Sequence, residues 1–460
     1  MSRAGAGESG ASYGRGAALL SALIAVTGVL TYAFHSIAAH ALGADDYGLI
    51  AVLWAAVFLV ASIIYRPVEQ LLSRTIAERR ARGRPIRDAM RIAATIQLGL
   101  AVAFVAVALL LRDPIEDDLF SGDSTLYWCL IAAVTFYAAS YFARGFLAGE
   151  QRFALYGGLV LMEASSRVVF VVLLAIGVVD SENVAAIAIA AAPLLSLFVV
   201  PWALGRHVRR MTAASPEQAA ADAAEPEFTL SHGLGFAGAV LVIMCSEQAI
   251  LNSGVLIVKA DTGDDELAAL IFAVLMIARA PLQLFQAVST TLLPHVTRLL
   301  VREQEQAGAG DFGRSVRLTV TACLAFGAAT VVGVLLVGPP AMRLLFGSEF
   351  DYDRLGLALV AAGMGLYLSA TTVNQAVLAQ GRARLAAASW AVSAIFFVAF
   401  LLLADMEEVR EVEVAFLATA AILSILLYVA YRGAPDPQRR IRPGSAEETG
   451  AILAAAEEAS

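Results

Sequence analysis

The fold of this chain follows from one apolar stretch, LAALIFAVLMIARAPLQLFQAVSTTLL at residues 267–293. It contains 27 residues and a single charge, Arg279, so it is long enough to span a bilayer as a helix. An acidic run, 264–266, precedes it, and Arg298 and Arg302 follow it. At about 1.5 Å per residue, Arg279 would lie roughly 18 Å below the acidic end, near the middle of the membrane. A lone arginine at that depth is expected to face a bundle interior or a water-filled cavity.

Eleven other apolar stretches make the chain a membrane protein. Of its 460 residues, 59% are hydrophobic and 16% are charged, with a mean hydropathy of +0.74, whereas a soluble domain carries about 25% charged residues. The stretch nearest the N-terminus, residues 17–39, is longer than the apolar core of a signal peptide, so we interpret it as a retained helix. We predict twelve spans, at residues 17–39, 48–66, 92–111, 125–142, 154–179, 184–205, 233–258, 267–293, 316–338, 355–377, 385–404 and 412–431.

The basic residues predict how the spans are oriented. The chain has 32 lysines and arginines, and three of them, Arg66, Arg167 and Arg279, fall within or at the edge of spans. If the N-terminus is cytoplasmic, five others lie in the opposite loops and the remaining 24 lie in the cytoplasmic loops and tails. Cytoplasmic loops favour Lys and Arg. We therefore expect both termini on the cytoplasmic side of a multi-pass protein of the plasma membrane.

A polar break divides the spans into two sets of six. Residues 211–228 are rich in Ala, Glu and Pro, a composition typical of a flexible linker. The predicted organisation is a cytoplasmic tail at 1–16, a six-helix half at 17–210, the linker at 211–228, a second six-helix half at 229–432 and a disordered cytoplasmic tail at 433–460.

The two halves share an internal repeat. Several residues of the first half recur in the same order in the second: Arg91, Pro114, Leu119 and Phe120 as Arg317, Pro340, Leu345 and Phe346, and Leu147-Ala148 with Arg152 as Leu378-Ala379 with Arg382. Since each half has six spans, both enter the membrane from the same side. The sequence predicts an all-α membrane protein with two parallel halves, related by an axis along the membrane normal, and a substrate path between them.

No residue pattern predicts an enzyme, a metal centre or a cofactor. Cys129, Cys245 and Cys323 lie far apart in apolar stretches, and the five histidines have no ligand spacing. The glycines at 233–238 fit a dinucleotide-binding pattern, but they begin a span instead of following a strand, so close helix packing explains them better. We expect no catalytic residue, no metal, no cofactor and no nucleic-acid partner.

Charged residues inside the spans are the candidates for function. Glu163 and Arg167 lie four residues apart on one helix face, which suits either a structural ion pair or a charged cavity wall. Glu247 lies at mid-depth without a partner nearby in the sequence, so it would pair with an arginine of another span or bind a coupling proton or cation. These three residues are the candidates for coupling or counter-charge.

Arg279 and Arg66 are the candidate substrate ligands. Arg279 cannot easily reach either interface, and Pro281 beside it can bend the helix. Arg66 lies near the predicted end of span two, where snorkelling to the interface explains it equally well. A guanidinium group binds phosphate through two parallel charge-assisted hydrogen bonds, best where water is scarce. The two arginines therefore suit a lipid diphosphate headgroup.

These features resemble the multidrug/oligosaccharidyl-lipid/polysaccharide (MOP) exporter superfamily, and within it the Wzx-type polysaccharide flippases. The run 42–48 (LGADDYG) is similar to the turn that follows their first helix. The run 144–153 (RGFLAGEQRF) resembles their cytoplasmic loop after helix four, and the run 378–384 resembles its counterpart in the second half. The resemblance implies a MATE-like arrangement of the two halves.

The resemblance also suggests roles for two residues. In the related lipid II flippases, arginines on helices one, two and eight line a cationic cavity that holds a diphosphate. Arg279 on span eight and Arg66 on span two resemble two of these arginines, whereas span one carries only His35, and the two extra C-terminal helices of that branch are missing. These departures argue against the peptidoglycan precursor and favour another undecaprenyl-diphosphate-linked glycan.

The sequence leads to one principal hypothesis and two alternatives. The principal hypothesis is a flippase for a lipid-linked oligosaccharide, working by alternating access in contact with membrane lipids and with polysaccharide-assembly proteins. The first alternative is a cation-coupled multidrug antiporter of the same superfamily, which is weakened because mid-span arginines equal mid-span carboxylates. The second is a membrane-embedded glycan polymerase or ligase, which generally needs a larger outer loop than this chain offers.

Overall fold

The computed structural model describes residues 3–81, 83–179, 183–200, 230–277, 279 and 311–433, and every regular element in these ranges is a helix. In chain order the helices longer than ten residues are α1 (Arg3–Ala81), α2 (Arg87–Leu110), α3 (Ser124–Gly149), α4 (Phe153–Ala175), α5 (Val184–Ser196), α6 (Leu230–Thr262), α7 (265–277), α8 (Asp311–Phe346), α9 (Arg354–Ala379), α10 (Ala383–Leu403) and α11 (Glu408–Arg432). The predicted linker at 211–228, Pro281 and the tail from residue 434 lie outside the described residues.

Each predicted span lies on a helix for most of its described length, and nine helices in the described ranges are long and apolar enough to cross a membrane. Some helices extend beyond the predicted spans. The first begins at Arg3, inside the predicted tail, and ends at Ala81 instead of residue 66, and α3 ends at Gly149 instead of residue 142. Hydropathy falls where charged residues begin, but Arg and Glu are good helix formers and the helix continues.

Gly43 separates the two spans of α1. Its backbone angles, φ 80° and ψ 179°, are not helical and lie in a region that is essentially restricted to glycine. The chain therefore turns here, and α1 consists of one segment at 3–42 and another at 44–81. Gly48 then allows a close approach to α7, since a Cβ atom at this position would lie 1.9 Å from the Asp265 carbonyl oxygen.

The helices pair in the same way in both halves. In the first half α1 packs on α4, α2 packs on α3, and α5 contacts both α3 and α4. In the second half α6 packs on α10, α8 packs on α9, and α11 contacts both α9 and α10. The central helices α3 and α9 are largely buried, whereas α2 and α8 expose most of their apolar surface, as lipid-facing helices do. The predicted fold class, two six-helix halves of one plan, is confirmed.

The equivalent helices α3 and α9 begin with the same cap. Asp123 accepts a hydrogen bond from the Thr125 N–H at 2.6 Å, and Asp353 accepts one from the Gly356 N–H. Burial opposes ionisation of Asp353, but its hydrogen bonds from Gly356 and Arg410 outweigh this effect and lower the pKa of the carboxyl group. The cap of α9 is therefore charged at neutral pH, which suits the positive end of the helix dipole.

The same two helices also end alike. The Arg152 N–H donates to the Leu147 carbonyl at 2.9 Å, and the Arg382 N–H donates to the Val377 carbonyl at 3.1 Å. Arg152 and Arg382 therefore occupy corresponding positions, as the repeat predicts. Leu147 lies opposite Val377 and not opposite Leu378, so the predicted match of the Leu-Ala pairs is wrong by one residue.

Candidate functional site

Glu163 lies between two arginines in the core of the first half. Its carboxylate accepts hydrogen bonds from Arg144 on α3, from Arg167 one turn along α4, and from the Tyr137 hydroxyl at 2.6 Å. Glu163 and Arg167 are only 3% and 4% exposed. The i,i+4 pair that the sequence suggests is present, and Arg144 shares the same carboxylate.

Arg167 also lies against aromatic rings. Its guanidinium carbon is 4.9 Å from the ring centre of Trp54 and 5.5 Å from that of Phe58, distances at which a cation is attracted to the ring face. The Nε atoms of Arg144 and Arg167 are buried without a hydrogen-bond partner among the described residues. Contacts with aromatic rings thus supplement the single shared carboxylate.

Arg144 extends the charged cluster toward α1. The sequence assigns this residue to a loop after span four, but α3 continues past it and its side chain is only 12% exposed. It interacts electrostatically with Glu69 on α1, which in turn interacts with Arg66 and accepts a hydrogen bond from the Tyr156 hydroxyl at 3.1 Å. The residues that follow Arg144, 145–149, carry no charge. This is the signal in the sequence that could have placed Arg144 within the helix.

Arg66 is not at a helix end. It lies about four turns before Ala81, and it is half-buried. Besides Glu69, its electrostatic partners include Glu247 on α6, which belongs to the other half. Snorkelling therefore does not explain Arg66, because the side chain faces charged groups inside the bundle.

Glu247 and Tyr367 continue the charged groups into the second half. Glu247 is half-buried and accepts a hydrogen bond from the Tyr367 hydroxyl at 3.4 Å. Tyr367, on α9, is fully buried and interacts electrostatically with Glu247, Arg279 and Arg66. Arg66, Glu247 and Arg279, which the sequence proposes for substrate binding and coupling, are therefore all electrostatic partners of one tyrosine.

Arg279 has polar neighbours but no carboxylate among its electrostatic partners in the described residues. Its guanidinium donates to the Asn252 side-chain oxygen at 3.5 Å, and its Nε is buried without a described partner. The hydroxyl of Tyr32, on α1, lies close by and donates to the Met276 carbonyl at 2.5 Å. Arg279 is thus a weakly bonded cation at the junction of α1, α6 and α9.

His35 is a local hydrogen-bonding residue. Its Nδ1 lies 3.1 Å from the Tyr47 hydroxyl, and its ring packs on Trp54 and Phe272 with centroid distances of 4.4 and 4.8 Å. Because Phe272 belongs to α7, this aromatic group joins the two halves beside Arg279.

Seven charged residues form a series of alternating sign that crosses from one half to the other. We call this series the charge chain; in order it consists of Arg167, Glu163, Arg144, Glu69, Arg66, Glu247 and Arg279. It contains four arginines and three glutamates, because Arg66, Glu69 and Arg144 join the two arginines and two glutamates that the sequence places at mid-span. The unmatched positive charge falls at the Arg279 end.

The two halves also meet at the end of the bundle where α1 turns, which we call the Gly43 end. The Ala44 N–H donates to Glu349 at 2.9 Å, and the Ser121 hydroxyl donates to Asp265 at 3.1 Å. Lys259, which is 1% exposed, contacts the same Asp265 at 2.6 Å and the Ser121 hydroxyl at 2.9 Å. Among described residues, hydrogen bonds between halves occur here and at Tyr32, so this end is closed.

Within the described ranges, no group of three His, Cys, Asp or Glu side chains is arranged to hold a metal ion. The polar atoms of the site come instead from arginine, glutamate, tyrosine and asparagine side chains. Such a set binds anions and exchanges hydrogen bonds with polar ligands.

No protein-family model matches the sequence. The chain is 25% identical over 403 residues to the uncharacterized protein Rv3630 of Mycobacterium tuberculosis, covering 81% of this chain and 83% of that protein. It has the same identity and coverage with the uncharacterized protein Mb3654 of Mycobacterium bovis.

Solved structures similar to this chain are MATE transporters. An inward-facing multidrug resistance MATE family transporter of the MOP superfamily matches 90% of this chain and 97% of its own length, with a TM-score of 0.62 and 14% identity. An outward-facing transporter of that description gives a TM-score of 0.55 over 91% of this chain and 94% of its own, at 15% identity. A Vibrio cholerae MATE transporter in its bent form gives a TM-score of 0.56 over 92% of this chain and 98% of its own length, at 16% identity. The chain therefore has the fold of the MATE transporters, and nine helices in its described ranges are long and apolar enough to cross a membrane.

Proposed function

We propose that the protein is a flippase or exporter that moves an undecaprenyl-diphosphate-linked oligosaccharide across the plasma membrane by alternating access, for surface polysaccharide biosynthesis. Arg279 carries the proposal, because it is a cation between two halves without a described carboxylate partner. A diphosphate presents the paired oxygens that a planar guanidinium binds best. The likeness of the runs 42–48 and 144–153 to Wzx-type flippases supports this substrate class.

The charge chain supports different roles for its members. Arg279 would hold the diphosphate, and Arg66, which shares Tyr367 as a neighbour with Arg279, would join it. Glu247 would act as the counter-charge between them. Glu163 and Arg167 would stabilise the first half without contacting substrate, because Glu163 is already bonded to two arginines and a tyrosine.

The closed Gly43 end supports an orientation. The arginine distribution predicts that this end is extracytoplasmic, so the site would open to the cytoplasm, where lipid-linked oligosaccharides are assembled. The higher TM-score with the inward-facing MATE transporter than with the outward-facing one agrees with this state. Membrane lipids would surround α2 and α8, and proteins of polysaccharide assembly remain the predicted partners.

The test is a flipping measurement with purified protein. Vesicles containing the full chain and a fluorescent undecaprenyl-diphosphate disaccharide should lose inner-leaflet fluorescence to an added membrane-impermeant quencher faster than protein-free vesicles. In cells, loss of the gene should lead to accumulation of lipid-linked oligosaccharide on the cytoplasmic face. Equal quenching in both vesicle types and unchanged glycan intermediates in cells would contradict the proposal.

Replacing Arg279 by Lys should reduce flipping by about tenfold or more, because an ammonium group keeps the charge but loses the bidentate geometry. The measurement is the initial rate of quenching at equal protein content. Arg74→Lys is the control, since Arg74 is exposed and pairs with Glu78 one turn away. A wild-type rate for Arg279→Lys would remove Arg279 from the site.

A cation-coupled multidrug antiporter is the second candidate. It is favoured by the MATE fold and by Glu247, a half-buried carboxylate whose described hydrogen bond is long. Efflux of ethidium from vesicles, driven by a proton or sodium gradient and lost in Glu247→Gln, would support it. The transporter fold gives no comparable support to the polymerase or ligase alternative.

A further inference from the structure

We propose that Glu247 is an internal stand-in for the anionic group of the substrate. Its carboxylate interacts electrostatically with Arg66 across the half interface, and a phosphate-bearing ligand would take its place beside that arginine. This inference rests on the proposed function and adds a competition between a carboxylate of the protein and the substrate for Arg66.

The geometry around Tyr367 carries the argument. Its hydroxyl donates to Glu247 at 3.4 Å and lies within electrostatic range of both Arg66 and Arg279. The Glu247 carboxylate is therefore an electrostatic partner of Arg66, and Tyr367 separates it from Arg279. Asn252, five residues along α6 from Glu247, contacts Arg279 at 3.5 Å, so one helix presents groups to the whole site.

The bonding of Glu247 differs from that of the other buried acid in the charge chain. Glu163 is held by two arginines and by Tyr137 at 2.6 Å. Glu247 has one described hydrogen bond, which at 3.4 Å is longer than a normal O–H···O bond. A carboxylate bonded so weakly is released more readily than one fixed by several short bonds, and a diphosphate offers more oxygens to the same arginines.

The other charged groups near Glu247 do not provide a replacement cation. Arg66 faces it from α1 and Tyr367 from α9, and Arg279 lies beyond that hydroxyl. The helix α10, which also packs on α6, has no titratable residue between Arg384 and its end. Once a ligand displaces Glu247, its described cationic neighbours are therefore those that the ligand itself binds.

The experiment measures affinity for inorganic pyrophosphate by calorimetry, using the full chain in detergent. Glu247→Gln should bind pyrophosphate about tenfold or more tightly than the wild type, because removal of the competing charge frees charge-assisted bonds for the ligand. The double variant Glu247→Gln/Arg66→Gln should lose this gain, because it removes the cation that Glu247 releases. A tighter affinity is an outcome that loss of folding cannot produce.

Glu413→Gln is the matched control. Glu413 also accepts a hydrogen bond from a tyrosine, Tyr352 at 2.5 Å, but its arginine partner is Arg410 at the Gly43 end. The affinity of the Glu413→Gln variant for pyrophosphate should equal that of the wild type. Unchanged or weaker binding by Glu247→Gln, or an equal gain in Glu413→Gln, would overturn the inference. If either of these outcomes is found but the wild type still flips lipid, the proposed function stands and only the inference fails. If Glu247→Gln binds pyrophosphate more tightly but the wild type does not flip lipid, only the proposed function is contradicted.

Discussion

Glu163 illustrates how a single side chain can determine the stability of a membrane-embedded core. One carboxylate serves both Arg144 and Arg167, and none of the three is well exposed to solvent. Removing one partner of a buried ion pair leaves an uncompensated charge, which is more harmful than losing an exposed pair. The first half should therefore depend on Glu163 more strongly than on any surface pair.

Replacing Glu163 by Gln should lower the free energy of unfolding by about 3–5 kcal/mol, because two buried guanidinium groups lose their shared counter-charge. The measurement is unfolding of the detergent-solubilised protein followed by tryptophan fluorescence, since Trp54 lies against Arg167. The double variant Glu163→Gln/Arg167→Gln should recover part of the loss, because one of the two unpaired cations is removed.

Glu78→Gln is the control for this prediction. Glu78 and Arg74 form a pair of the same i,i+4 spacing at 2.7 Å, but their side chains are 39% and 60% exposed. An exposed pair contributes about 0.5 kcal/mol or less. Equal losses of unfolding free energy in Glu78→Gln and Glu163→Gln would show that burial does not make the Glu163 ion pairs more important for stability.

Part of the candidate site could be predicted from the sequence. A charge within an apolar stretch is conspicuous, so Glu163, Arg167, Glu247 and Arg279 are found from composition alone. Their partners are not, because Glu247 meets Arg66 only when two distant helices pack together. Buried tyrosines such as Tyr367 are also overlooked, since an aromatic residue in a span has the same appearance whether or not its hydroxyl is bonded.

At the scale of elements, the break in α1 determines how the first two spans are arranged. Gly43 adopts a backbone conformation that other residues avoid, and its neighbour Ala44 bonds to Glu349 of the second half. The turn thus separates two spans and contributes a contact that closes the Gly43 end. A substitution here should affect both the path of the chain and the closure.

Gly43→Ala should destabilise the protein by about 1–3 kcal/mol, since a Cβ atom makes this conformation strained. Unfolding of the purified variant measures the loss. Gly99→Ala is the control: Gly99 lies inside α2, where an added Cβ atom meets nothing within 4 Å. That substitution should be neutral or stabilising by up to about 1 kcal/mol, and equal losses in both variants would contradict the strain argument.

The elements themselves were well predicted, and their ends were not. Long apolar stretches identify spans because a membrane helix must satisfy its own backbone hydrogen bonds. The same rule says nothing about where a helix stops once it leaves the apolar region, so α1 and α3 continue past their predicted ends. This error affected the site, because it placed Arg144 in a loop, whereas the structure places it on α3 in the charged core.

For the whole molecule, alternating access requires that the contacts at the Gly43 end break during transport. A cysteine pair at Ser121 and Asp265, whose side chains are joined by a hydrogen bond of 3.1 Å, should be cross-linked in this closed state. With Cys129, Cys245 and Cys323 replaced by Ala, oxidation should abolish flipping in vesicles and reduction should restore it. The measurement is the quenching rate before and after each treatment.

The single variants Ser121→Cys and Asp265→Cys are the controls, and oxidation should leave their rates unchanged. Full cross-linking of the double variant without loss of flipping would show that this end does not open during transport.

The fold-level repeat was predicted from a few residues in shared order. The contacts that close one end involve loops from both halves and were beyond reach of the sequence.

The excess positive charge of the charge chain has an electrical consequence. The arginines are fixed on helices, whereas a bound diphosphate would travel, so the proposed transport would move negative charge through the membrane field. Each elementary charge that crosses a potential of 100 mV changes in free energy by about 2.3 kcal/mol. A voltage that is negative inside the cell would therefore favour outward movement of the anion, and the membrane potential would help to drive the proposed export.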